Sequence, residues 1–134
     1  MTTYVDSSAL LKRYVEEHDS DVADRLLDAD PVLVTSWITA VEVRRNLPRL
    51  VDPKYLPELR RQFETDLESF ALIACTESTA KVAADIAETL GVRSLDAIHL
   101  ASAQRLLIAD LRFITFDFRQ AQAARSLGMV VAGA

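Results

Sequence analysis

Hydrophobic residues in this chain follow two rhythms. Short unbroken apolar or β-branched runs alternate with longer stretches of helical spacing. Thr3 to Asp6 reads as a first strand, and Ser7 or Ser8 behind it is placed to cap a helix through about Glu17. Asp21 to Ala29 reads as a second helix. Val32 to Thr35 reads as a second strand, with Ser36 capping a helix that carries Val41, Glu42 and Val43. Pro48 and Pro53 are expected to break or kink the chain beyond that helix, because proline removes a backbone donor. Pro57 to Ser69 continues as helix, and Leu72 to Cys75 is a third strand. Thr79 to Leu90 places Val82, Ala83, Ile86 and Leu90 on one helical face and closes on Gly91. Ser94 caps a mostly apolar helix to about Leu107. Phe113 to Phe116 is a fourth strand, Arg119 to Leu127 a last helix ending at Gly128, and Met129 to Ala132 a final strand.

Strand-helix alternation with continuously apolar strands predicts an α/β fold in three layers, α/β/α, around a mostly parallel sheet. Ligands of such folds bind in the crevice outside the carboxyl ends of the strands. The chain has 134 residues, half of them hydrophobic, with no repeat or linker, so one domain over 1–134 is expected. The single cysteine, Cys75, cannot form an internal disulfide and suits a reducing cytoplasm; its apolar neighbours predict a buried position. Met1 to Val15 lacks a basic head followed by an apolar stretch, and no apolar run approaches the ~18 residues of a membrane span. A cytoplasmic protein without a membrane partner is expected.

A net charge of −5 argues against coating nucleic acid by bulk charge. Its distribution changes the picture. Between Arg44 and Arg61 stand six basic residues against two acidic ones, a basic flank on an acidic body. Such a flank suits local contact with a polyanion, or is a solvated helix face. Arg44, Arg45 and Arg49 are the candidates for that polyanion contact.

The acids carry the chemistry. Asp6 ends the first strand and Asp117 follows the fourth, so both are expected at the crevice. Asp96 falls in the first turn after Ser94, and Glu42 in the second turn after Ser36, at the border of an apolar arc. Each acid alone has an ordinary reading: Asp6 or Asp117 as a helix cap, Asp96 as a partner of the helix dipole, Glu42 as a partner of Arg45. Together they repel, since two charges ~4 Å apart at an effective dielectric of ~20 cost about 4 kcal/mol. An all-oxygen set without histidine or cysteine ligands selects a hard cation, Mg²⁺ or Mn²⁺, and that metal's chemistry is phosphodiester hydrolysis. His99, one turn from Asp96, reads as a packed or hydrogen-bonded core histidine. Trp37 and Phe116 read as core aromatics, with base stacking the alternative.

These residues also carry a resemblance. Tyr4-Val5-Asp6-Ser7-Ser8-Ala9-Leu10 resembles the opening of a PIN domain. Thr39-Ala40-Val41-Glu42-Val43 is similar to its second motif, and Leu95-Asp96-Ala97-Ile98-His99-Leu100-Ala101 to its third, the most specific. Phe113-Ile114-Thr115-Phe116-Asp117 resembles the fourth. Order and spacing match along essentially the whole chain, and its length resembles the VapC toxins of bacterial toxin-antitoxin pairs. The resemblance implies a Mg²⁺- or Mn²⁺-dependent endoribonuclease, dimeric and inhibited by a small VapB antitoxin. It implies metal or catalytic roles for Asp6, Glu42, Asp96 and Asp117, and supporting roles for Ser7 and Thr115. One departure is Phe118, where the family pattern leads one to expect a polar or basic residue.

Two other functions compete. A phosphoryl-transfer enzyme would use Asp6 as nucleophile, but a dehalogenase-like site needs a second Asp two residues on, where Ser8 stands, and a late lysine that is missing. A catalytically inactive module that only binds RNA or a partner protein is opposed by the presence of all four acids.

Overall fold

The computed structural model describes residues 2–134; Met1, where the reading of the N-terminal segment and of the domain begins, lies outside them. In chain order the elements are β1 (Thr2–Val5), α1 (Ser7–Leu11), α2 (Ser20–Asp28), β2 (Val32–Ser36), α3 (Trp37–Leu50), a 3₁₀ turn (Pro53–Tyr55), α4 (Leu56–Leu67), β3 (Ala71–Ile73), α5 (Glu77–Leu90), α6 (Ser94–Gln104), β4 (Arg112–Thr115), α7 (Phe118–Ser126) and β5 (Val130–Gly133). The strands pair in the order β3-β2-β1-β4-β5, and every ladder is parallel.

Alternation along the central strands divides the core. Tyr4 and Phe113 face one side, where Ala83 and Ile86 of α5, Leu100 and Ala101 of α6 and Ala124 of α7 cover them. Val5 and Ile114 face the other, against Ala9 and Leu10 of α1, Leu27 of α2, Val43 and Leu47 of α3 and Phe63 of α4. Each large apolar side chain so buried contributes roughly 1.5–3 kcal/mol. The expected three-layer fold is what forms.

Several boundaries differ from the sequence reading. The first helix ends at Leu11 rather than near Glu17. Its hydrogen bonds tighten there, from Lys12 to Ala9 and Arg13 to Leu10, and the Lys12 ammonium turns back to Asp19 at 2.7 Å. Pro48 does not end α3, which runs on to Leu50. The proline is exposed, so the carbonyl that loses its donor one turn earlier faces water. β3 stops at Ile73 because its partner β2 ends at Ser36, opposite Ile73. Cys75 therefore lies beyond the sheet and is exposed, not buried. Trp37 is also exposed, at 54 %, because it opens α3 on the outer side; Phe116 does pack against the core.

Candidate active site

The strand order fixes where a site forms. From β1 the chain winds outward to β2 and β3, then crosses to β4 on the other side of β1. Parallel sheets open a crevice at such a reversal, outside the carboxyl ends of the strands. Asp6 follows β1 and Asp117 lies two residues past β4. Asp6, Glu42, Asp96 and Asp117 line one cavity of about 240 Å³ there, with Ser7, Ser8, Asn46 and Arg93.

Asp6 is buried and is itself the N-cap of α1, accepting from the Ala9 amide at 3.1 Å. The Ser8 hydroxyl donates to Asp6 Oδ1 at 2.6 Å. Its one proton being used, Ser8 Oγ accepts from the Phe116 amide (3.0 Å) and from the Thr115 hydroxyl (3.2 Å). Thr115 Oγ1 in turn accepts from the Asp117 amide at 3.1 Å. One chain of hydrogen bonds thus ties Asp6 to the loop that carries Asp117. Asp117 caps α7 by accepting from the Gln120 amide at 2.9 Å, and the Gln120 side-chain amide donates to the Asp96 carbonyl at 3.1 Å.

Glu42 does not pair with Arg45. Its Oε1 lies 2.7 Å from Nε2 of His99, whose Nδ1 is 2.8 Å from the Tyr4 hydroxyl. A carboxylate only accepts, so Nε2 carries a proton. Burial, then the charge of Asp6, pushes the Tyr4 phenol well above its usual range, so it remains a donor to Nδ1. His99 is the buried, hydrogen-bonded histidine the sequence suggested, and it fixes Glu42 at the cavity. Asp96 stands in the first turn of α6 beside Arg93, whose guanidinium is 3.6 Å from Asp96 and 3.8 Å from Asp117. Arg93, rather than a Ser94 cap, precedes α6, and it makes no side-chain capping bond.

Burial dominates the electrostatics of the two shifted acids. Burial raises the Asp6 carboxyl, though the bonds from Ser8, Thr115 and Ala9 oppose it. Burial, then the neighbouring Asp117, raises Asp96, with Arg93 opposing.

The PIN domain family matches residues 3–126. The chain belongs to that family. This PIN domain is similar to Ribonuclease VapC46 of Mycobacterium tuberculosis, 35% identical over 96% of this chain and 94% of the relative. It is similar to Ribonuclease VapC35 of the same species, 37% identical over 96% and 93%. Among solved structures it resembles FitAcB from Neisseria gonorrhoeae, with a TM-score of 0.76 at 22% identity, covering 98% of this chain and 96% of that one. It also resembles the Mycobacterium tuberculosis toxin VapC20, TM-score 0.70 at 18% identity over 92% and 95%.

The PIN site's donor set fits a hard divalent cation in kind: four carboxylates from four elements, with Asp6 raised by burial and Asp96 by burial and then by Asp117. Among the described residues no three acidic, histidine or cysteine side chains stand close enough to enclose an ion as placed. Arg93 lies against two of the acids instead. Ser7 lines the cavity, but Ser8 makes the bonds that hold Asp6. Sequence reasoning passed over Ser8, Asn46 and Arg93. A hydroxyl two residues after a strand-end Asp was the available signal for Ser8. Of the three candidate RNA-contacting arginines, Arg44 pairs with Glu64 at 3.1 Å. Arg49 and Arg45 donate to the side-chain oxygen of Asn46 at 3.1 and 3.4 Å, which puts them beside the cavity that Asn46 lines.

Proposed function

We propose that this PIN domain is a divalent-metal-dependent endoribonuclease, the toxin of a type II toxin-antitoxin pair acting in the cytoplasm. The observation that supports it is the convergence of Asp6, Glu42, Asp96 and Asp117 on one cavity, in a chain 35% identical to a VapC ribonuclease. These acids hold Mg²⁺ or Mn²⁺. Bound by these acids, such a metal would supply an activated water and would neutralise charge on the phosphoryl oxygens. The chain's own groups orient that chemistry. The Ala9 amide and Ser8 fix Asp6, His99 fixes Glu42, and the Gln120 amide fixes Asp117. Thr115 and Ser8 couple the two strand-end acids. Arg44, Arg45 and Arg49 on α3 contact the RNA backbone.

A chain that cuts cellular RNA needs restraint. A VapB-type antitoxin restrains it by sending a basic side chain, an arginine by preference, into the anionic cavity, where it pairs with the carboxylates. The toxin itself is a homodimer. Mapping RNA 5′ ends in cells after brief expression tests the reading, with Asp96→Asn as control. New ends at a restricted set of sites, absent with Asp96→Asn, are expected. The same ends with both chains, or none with either, overturn it in favour of an inactive binding module.

A further inference from the structure

Beside the acid cavity lies a second one. The turn at 91–93 between α5 and α6, together with α7, encloses about 520 Å³. Arg93 and Asp96 line both cavities, so the two share a wall. Arg119 brings a second guanidinium, and Gln122 and Ser126 add polar groups, while Leu90 and Val92 give an apolar side. Arg119 makes no ion pair among the described residues. Arg93 is 78 % exposed, and its contacts to Asp96 and Asp117 are long, so it is free to reach another anion. Volume, two guanidinium groups and one apolar wall together suit a nucleotide: phosphate on the cations, sugar or base on the apolar side.

Position says what kind of nucleotide. The Arg45–Asn46–Arg49 edge belongs to α3 on one face of the sheet, and the second cavity to α5, α6 and α7 on the other. The acids lie between. We propose that the second cavity is a subsite for the RNA segment flanking the scissile phosphodiester, with Arg93 and Arg119 each holding a backbone phosphate. The RNA strand then crosses the carboxyl edge of the sheet, with α3 arginines on one side of the cut and this subsite on the other. The inference rests on the ribonuclease reading and adds a place where nucleotide preference is set.

The test uses the full chain carrying Asp6→Asn, so that RNA stays uncut, and a fluorescein-labelled, random-sequence single-stranded 12-mer RNA. Affinity is read by anisotropy across a salt series. Arg119→Gln flattens the log-log salt slope by about 0.7, the value for one phosphate contact on a single strand. Arg93→Gln with Arg119→Gln flattens it by twice that. Ser126→Trp fills the cavity without changing charge, so it lowers affinity at an unchanged slope. If Arg119→Gln and Ser126→Trp, melting as the parent does, bind RNA with unchanged affinity and slope, the subsite is refuted. The ribonuclease reading still stands if the wild-type chain cuts RNA. A wild-type chain that neither binds nor cuts RNA refutes both. Variants that lose only the antitoxin assign the cavity to a protein partner and overturn the proposal.

Discussion

Asp6 meets two opposed demands. Its carboxylate is bonded by the Ala9 amide and Ser8, yet it lies buried beside other acids, and burial wins, raising its proton affinity. Its unfolded value is about 3.9. With the folded value raised, the folded state binds the proton more tightly, so metal-free stability falls as pH rises from about 4 through the raised folded value, then levels. Asp6→Asn therefore melts higher than the parent at neutral pH in EDTA, with a flatter pH profile, while losing Mn²⁺ affinity. A variant that melts lower at neutral pH would show that the bonds outweigh burial. Thr115→Val removes the link from Ser8 to the Asp117 amide but no acid, and a 10- to 100-fold fall in cleavage rate with a retained fold is expected. Asp6, Asp96 and Asp117 were legible because they stand where strands end and helices start, and Glu42 because it borders the apolar arc of its helix. The reach of Arg93 to Asp117, and of Ser8 to Thr115 and Phe116, was not, since those partners come from elements far along the chain.

At the scale of elements, α3 carries two tasks. Thr39, Val43 and Leu47 bury one face, Glu42 and Asn46 border it at the cavity, Arg45 and Arg49 stand beside them on Asn46, and Arg44 pairs with Glu64. Replacing the three arginines with glutamine weakens RNA binding and flattens the salt slope, by about 0.7 for each true phosphate contact. An unchanged slope assigns the face to dimer or antitoxin contact. Two glycines separate local from tertiary strain. Gly91 closes α5 at a φ of +69° with open space around it, so Gly91→Ala costs about 1–2 kcal/mol for the left-handed backbone. Gly133 has a φ of +106°, and a Cβ there would collide with the Thr115 carbonyl oxygen. Gly133→Ala accordingly loses more stability in a denaturant melt, and the damage reaches the Thr115 loop. Strand and helix identities followed from periodicity; lengths did not. Lys12 ends α1 early through partners at 17 and 19, and solvent around Pro48 lets α3 run on, neither of which a local pattern contains.

Over the whole molecule, the net charge of −5 and the acid cavity set the same condition: RNA approaches only where cations gather. The three-layer architecture was readable from strand-helix alternation, because continuously apolar strands need cover on both faces. Strand order was not, yet the reversal at β1 and β4 is what brings Asp6 and Asp117 together. The central claim is that the four acids act as one metal-holding unit that cuts RNA. Its most direct test is RNA cleavage by the purified chain and by Asp6→Asn, Glu42→Gln, Asp96→Asn and Asp117→Asn across a metal titration. EDTA should abolish cleavage, Mg²⁺ or Mn²⁺ should restore it, and Ca²⁺ should bind without turnover. Every variant should lose activity and metal affinity together, Asp6→Asn and Asp96→Asn most and Asp117→Asn least. Full cleavage in EDTA, or by the Asp6 and Asp96 variants, would contradict the account.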